Sequence, residues 1–233
     1  MAVFVIVHGG WDGGWAWRAV AANLRAAGHE AFTPTLTGSG ERVHLARPEI
    51  DLNTHIQDVV NMLAYEDLRE VVLVGSSYGG MVITGVAEGA PDRIARLVYL
   101  DAFVPRDGES AADLVGPMMR AYFEDRAREL GDGWRIPHDP PDADRRTDLL
   151  LTASKTPVKL GNPAAAAVPR LFVHCTAKPA DSPLKPLFEA MAARAREAGW
   201  DYREFEADHF PPLTKPREVA ELLVEVLHQP HTG

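Results

Sequence analysis

A single cysteine, Cys175, stands in a chain of 233 residues, so no internal disulfide can form and packing has to hold the fold. That usage suits a reducing compartment, and a cytoplasmic protein is the expectation. Cys175 ends the apolar run "RLFVHC", which reads as a buried structural thiol rather than a nucleophile. Basic clusters are missing as well: 33 acidic residues face 24 basic ones for a net charge of -9, with no Lys/Arg-rich run. Nucleic acid and anionic membrane surfaces are therefore not expected partners, and the acidity reads as solubility. Long hydrophobic runs are absent too. The opening "MAVFVIVHGG" has no basic flank and its apolar run ends at Val7, too short for a signal peptide or a membrane span. No H-E-x-x-H and no paired Cys/His spacing occurs, so no metal is inferred. "TGSGE" lacks the lysine of a phosphate loop, and no cofactor is expected.

What is present is an apolar fraction of 46%, enough for one sizeable core. Short β-branched runs occur at Val3–Val7, Ala31–Pro34, Val71–Val74, Leu97–Leu100, Leu171–Val173 and Tyr202–Phe205. Such runs suit strands buried on both faces. Between them lie helical faces. One is Trp17, Val20, Ala21 and Leu24. A second is Ile56, Val59, Val60 and Leu63 after a cap at Asp51, and a third runs from Val219 to Leu227 behind Thr214. The alternation predicts an α/β fold, a mostly parallel sheet of about six strands with helices on both faces. Residues 104–168 break the rhythm: they hold "PHDPPDADRR" and an amphipathic stretch at Met118–Leu130, but no convincing strand. Met118, Met119, Tyr122, Phe123 and Trp134 mark this excursion as a small inserted cap on a core built from 1–103 and 169–233.

Gly75-Ser76-Ser77-Tyr78-Gly79 fits G-x-S-x-G, between a predicted strand ending at Val74 and a predicted helix over 79–87. Such a turn is too sharp for side chains on its flanks, hence the glycines, and its strain lifts one hydroxyl above the sheet edge. In this register that residue is Ser77, and Ser76 is the variable second position. A serine needs a base to take its proton. Of nine histidines, His29, His55 and His228 read as solvated on helix or turn patterns. His138 lies in the proline-rich excursion, His231 in the tail, and His174 at a strand end. His209, in "FEADHFPPLT", follows the last strand and precedes the last helix. That is the carboxyl edge of the sheet, where open α/β folds bind ligands. Two acids compete to orient it. Asp101 ends "RLVYLD", where a buried strand tip has little use for an unpaired carboxylate; Asp181 lies in the loop "CTAKPADSP". Both preserve the order Ser, Asp, His. After the first strand, Gly9 and Gly10 allow close backbone approach, and the amides of Gly10 and Tyr78 are the candidate oxyanion donors.

With those motifs in view, the chain resembles the α/β-hydrolase superfamily, and within it the small esterase and hydroxynitrile-lyase branch that includes plant methyl-salicylate esterases and bacterial relatives. The resemblance rests on "FVIVHGGWDGGWAW", "PTLTGSGERVHL", "DLNTHIQDVV", "VVLVGSSYGGMVI", "RLVYLDAFVPRDG" and "GWDYREFEADH", and only the cap segment is poorly matched. It implies Ser77 as nucleophile, His209 as base, and Gly10 and Tyr78 as oxyanion donors. Three positions depart from the family pattern. Ser76 stands where a histidine is usual, Asp12 or Gly13 replaces another, and Lys178 falls about where plant members carry the triad acid. Bacterial relatives look like they carry "YLDAF", which favours Asp101 over Asp181.

The expected activity is hydrolysis of small carboxylic esters through an acyl-enzyme. The expected pocket is lined by Trp11, Phe210, Met118, Tyr122 and Trp134, and suits an apolar or aromatic substrate. Two alternatives are a hydroxynitrile lyase and a ligand receptor that keeps a triad. The lyases resemble this chain but need a threonine and a lysine where Gly9 and Phe210 stand. The partner implied is a small-molecule ester, and a homodimer is compatible with the sequence.

Overall fold

The computed structural model describes residues 1–138 and 145–227, so His228, His231 and part of "PHDPPDADRR" lie outside the described residues. The elements follow in chain order. β1 (Val3–Val7), α1 (Arg18–Ala26), β2 (Glu30–Phe32), α2 (Leu52–Tyr65), β3 (Val71–Ser77), α3 (Gly79–Gly89) and β4 (Ile94–Ala102) form the first half. Then come α4 (Ala111–Leu114), α5 (Gly116–Leu130), β5 (Arg135–Ile136), β6 (Leu149–Leu150), α6 (Leu151–Lys155) and α7 (Pro163–Ala166). The chain closes with β7 (Arg170–Cys175), α8 (Leu184–Glu197), β8 (Asp201–Phe205), α9 (Pro211–Thr214) and α10 (Pro216–Val226).

Six strands make one sheet in the order β2-β1-β3-β4-β7-β8, with every neighbouring pair parallel. Successive side chains on a strand point to opposite faces, and the sheet divides its core accordingly. Val5, Val7, Leu73, Leu97, Tyr99 and Phe172 face one side, where α2, α3 and α8 contribute Leu63, Met81 and Phe188. Phe4, Ile6, Val72, Val74, Val98 and Val173 face the other, where α1 and α10 contribute Leu24 and Leu223. Both faces being covered explains why the strands read as unbroken apolar runs.

Four details differ from expectation. β3 continues through Ser77 and β4 through Ala102, so the glycine-flanked segment is strand almost to its apex. Helix α8 has no clear signal in the sequence: its apolar positions are diluted by alanines, and Pro183 and Pro186 disguise a start where proline is tolerated. α10 starts at Pro216, after the separate short turn α9, rather than directly behind Thr214. The 104–168 segment contains a two-residue antiparallel pairing, β5 with β6. Among the described residues of this segment, Val104, Leu114, Val158 and Val168 join the main cluster, while Ala127, Ile136 and Leu149 form a small one with Trp11 and Phe123 packed against it.

Candidate active site

The strand-to-helix turn at 75–79 is built by close approach. A Cβ on Gly75 would stand 2.6 Å from the Gly79 carbonyl oxygen, and one on Gly79 would stand 2.6 Å from that of Val7. Neither backbone can retreat, so no larger residue fits. Ser77 takes φ of 52°, the left-handed region that costs a non-glycine residue about 1 kcal/mol or more. Ser76 is buried while Ser77 is partly exposed. Gly9 packs against this apex: a Cβ there would lie 3.1 Å from Ser77 Cβ and 3.7 Å from Ser77 Oγ. The Gly9–Gly10 turn and the Ser77–Tyr78 peptide thus share one small space.

Two buried histidines stand beside this space, one bonded to the Gly9 backbone and the other to the Tyr78 side chain. His8 Nδ1 donates to Gly9 O at 2.7 Å, and its Nε2 accepts the Leu36 amide at 3.1 Å. His55 is not solvated, as its helical pattern suggests; it is 1% exposed, because α2 packs its ring against Tyr78. The Tyr78 hydroxyl donates to His55 Nδ1 at 2.9 Å, and His55 Nε2 donates to Thr37 O at 3.0 Å. Burial holds both histidines below their ordinary value, so both are neutral at pH 7. Burial also pushes the Tyr78 phenol up, keeping it protonated as the donor.

Asp101 stands opposite a break in the β3–β4 register: Ser76 pairs with Leu100 and Ser77 with Ala102. It is the extra residue of a bulge, at φ of 45°, and bulges re-aim side chains. Its carboxylate, fully buried, reaches across to the segment after β7. Oδ2 accepts from His209 Nδ1 at 2.7 Å, while Oδ1 accepts the Cys175 amide at 3.2 Å and Lys178 Nζ at 2.8 Å. A carboxylate only accepts, so the His209 proton is on Nδ1 and the Nε2 lone pair is available. The His209 ring stacks on Phe188 of α8 with centroids 4.3 Å apart, and meets the edge of Phe210 at 5.1 Å. Asp181, the competing acid, is exposed.

The five residues expected to line a pocket are scattered. Phe210 borders His209, with the Arg146 guanidinium 4.9 Å above its ring. Trp11 sits on the first turn, its Nε1–H donating to Ile136 O at 2.8 Å and its ring against Phe123. Leu149 covers Gly10. Met118 and Tyr122 do not line the site: α5 turns them outward, 86% and 42% exposed. Trp134 packs against the main core instead. A cavity of about 10 Å³ is bordered by His209, Ser76, Asp12 and Trp17, room for roughly one water molecule. Lys178 and Phe188 carry no role at this site that the sequence alone assigns. Their signal is long-range, since both reach His209 or its acid only through the fold.

Among the described residues no group of three or more His, Cys, Asp or Glu side chains could hold a metal ion. No helix among them is long and apolar enough to cross a membrane. Comparison with known proteins adds ancestry to this geometry. A carbendazim hydrolyzing esterase from Nocardioides sp. is 56% identical over 115 residues, 49% of this chain and 48% of that protein. Salicylic acid-binding protein 2 of Nicotiana tabacum is 34% identical over 105 residues, 44% of this chain and 40% of that one. The chain spans about half the length of these curated relatives. An extracellular alpha/beta-hydrolase from a Paenibacillus species, described as homologous in structure and function to the tobacco protein, superposes with a TM-score of 0.79 at 26% identity, covering 97% of this chain and 98% of that one. The alpha/beta hydrolase family model matches residues 4–222, which takes in the first strand, the glycine-flanked turn, the Asp101 bulge and the His209 loop, and the chain belongs to that family.

Proposed function

We propose that the protein is a serine hydrolase of the carboxylesterase type, acting on small, apolar esters through an acyl-enzyme. The observation that carries this is the pairing of His209 Nδ1 with the buried Asp101 carboxylate at the same sheet edge as the strained Ser77 apex. In this reading Ser77 Oγ attacks the ester carbonyl carbon while His209 Nε2 takes its proton. The carbonyl oxygen becomes an oxyanion held by the amides of Gly10 and Tyr78. Collapse expels the alcohol, which leaves with the proton returned by His209. Water, deprotonated by the same nitrogen, then attacks the acyl-enzyme, releasing the acid and restoring Ser77. Asp101 keeps the imidazole in the required tautomer and stabilises the imidazolium.

The apolar substrate preference rests on the surroundings of the Gly10 amide, where Leu149, Trp11 and Phe123 stand. Esterases among the relatives support the same class of reaction. The single cysteine suits a reducing, cytoplasmic setting, although the Paenibacillus neighbour is extracellular; the chemistry is indifferent to which. The test is labelling with a fluorophosphonate probe beside hydrolysis of p-nitrophenyl acetate and butyrate. Ser77→Ala should abolish both, and Ser76→Ala should keep both. Labelling that persists in Ser77→Ala refutes the assignment.

A further inference from the structure

The acid proposed to orient His209 is itself gripped by a cation. Lys178 is buried to 2% side-chain exposure, Asp101 to 0%, and they pair at 2.8 Å. The same ammonium donates to the Cys175 carbonyl and lies 5.7 Å from the Phe188 ring centroid, the ring on which His209 stacks. A buried lysine is costly to desolvate, and packing alone does not call for one. An apolar side chain here would leave the buried Asp101 carboxylate without its cation, so the lysine is tied to the acid rather than to packing.

We propose that Lys178 is a positioning residue for the hydrolytic site. It occupies Oδ1 of Asp101 so that Oδ2 alone faces His209, and its charge offsets part of the carboxylate's pull on the imidazolium. This rests on the reading of Ser77, His209 and Asp101 given above. The other charges near His209 are accounted for differently. Asp208, its neighbour, is bound by the Phe210 amide at 2.8 Å and the Thr214 hydroxyl at 3.2 Å. Asp12, on the turn after β1, is paired with Arg146 at 3.1 Å. Glu189 of α8 and Glu204 of β8 act with Asp101 and Lys178 on His174, and Asp101 and Asp208 with burial raise the Cys175 thiol. Of these charged groups, Lys178 is the one bonded to Asp101 Oδ1.

The consequence is a pH signature. Without the ammonium, Asp101 favours the protonated imidazole more strongly, so the acid limb of the kcat/KM profile should move to higher pH, by about one pH unit. Lys178→Met should show this shift, with kcat reduced by less than the roughly 10⁴-fold that follows loss of a triad acid. KM should stay within about two-fold, since Lys178 does not reach substrate. Lys178→Gln keeps an N–H donor for Oδ1 without charge: it should share the shift while retaining more of kcat. In an Asp101→Asn background, Lys178→Met should add nothing further to the loss. If Lys178→Met does not fold, the Gln variant and the double variant decide. Wild-type profiles in the Gln variant, or an undiminished cost of Lys178→Met in the Asp101→Asn background, would overturn the proposal. Hydrolysis or labelling that survives Ser77→Ala would instead sink the underlying reading, a distinct result.

Discussion

Asp101 combines three properties that rarely coincide: full burial, a positive φ and three donors on one carboxylate. Strain of that kind persists only where the surroundings over-determine it, and here a bulge, a strand amide, an ammonium and an imidazole do so. Asp101→Asn should keep the fold, since the amide still accepts at one oxygen, yet lower kcat by about 10⁴-fold because its N–H₂ favours the wrong imidazole tautomer. Asp181→Asn, at an exposed position, should change kcat by less than about two-fold. Steady-state kinetics on the two purified variants check this, and the reverse order would move the acid to Asp181. At this scale the sequence is legible where chemistry is local. Gly75 and Gly79 set the register of the turn, and that register points to Ser77 rather than Ser76 as the proposed nucleophile, as the histidine in the loop after the last strand points to His209 as the proposed base. Met118 and Tyr122 are not legible in the same way, because an apolar residue on an amphipathic helix has no address until the helix is docked.

At the scale of elements, α2 links its own N-cap to the site. Asp51 begins it, with Oδ1 accepting from the Thr54 amide at 2.8 Å. One turn on, the helix delivers His55 beneath Tyr78, whose amide is a proposed oxyanion donor. Burial works to raise the Asp51 carboxyl, but the Thr54 amide and Asn53 outweigh it and hold it below its ordinary value. Asp51→Ala should therefore cost about 1 kcal/mol, lowering Tm by about 2–4 °C for a chain of this size, while kcat on p-nitrophenyl acetate stays within about two-fold. Thermal unfolding and kinetics on one preparation would show it; a large loss of kcat with unchanged Tm would mean that Asp51 acts on the site directly. The cap is readable because an acid before an apolar periodic run is a local signal. Helix α8 is not, although it supplies Phe188, because its alanines satisfy a helix without marking a face. The bulge at Asp101 is equally hidden, since a register shift belongs to two strands and neither announces it alone.

At the scale of the whole molecule, buried neutral groups on both sides of neutrality set the pH range of stability. His8 and His55 have an ordinary value of 6.5 and are held below it by burial. Between that depressed value and 6.5 the unfolded chain binds protons that the folded chain refuses, so stability is full above about pH 6.5 and falls as pH drops, by about 1.4 kcal/mol per pH unit for each histidine. Cys175, ordinarily 9.0, and Tyr78 and Tyr99, ordinarily 10.0, are pushed up by burial. Above about pH 9 the unfolded chain releases protons that the folded chain keeps, and the slope reverses. The urea midpoint should thus form a plateau from about pH 6.5 to 9 and decline on either side, with a second acid step below about pH 4 as Asp51 loses its advantage. His55→Gln removes one titrating group while leaving an amide that can bond both Tyr78 and Thr37. It should lower the plateau somewhat and make the decline below pH 6.5 shallower, with the alkaline arm unchanged. A midpoint that holds level down to about pH 5 in the wild type would show that the two histidines titrate alike in folded and unfolded chains, and that their burial does not keep them neutral.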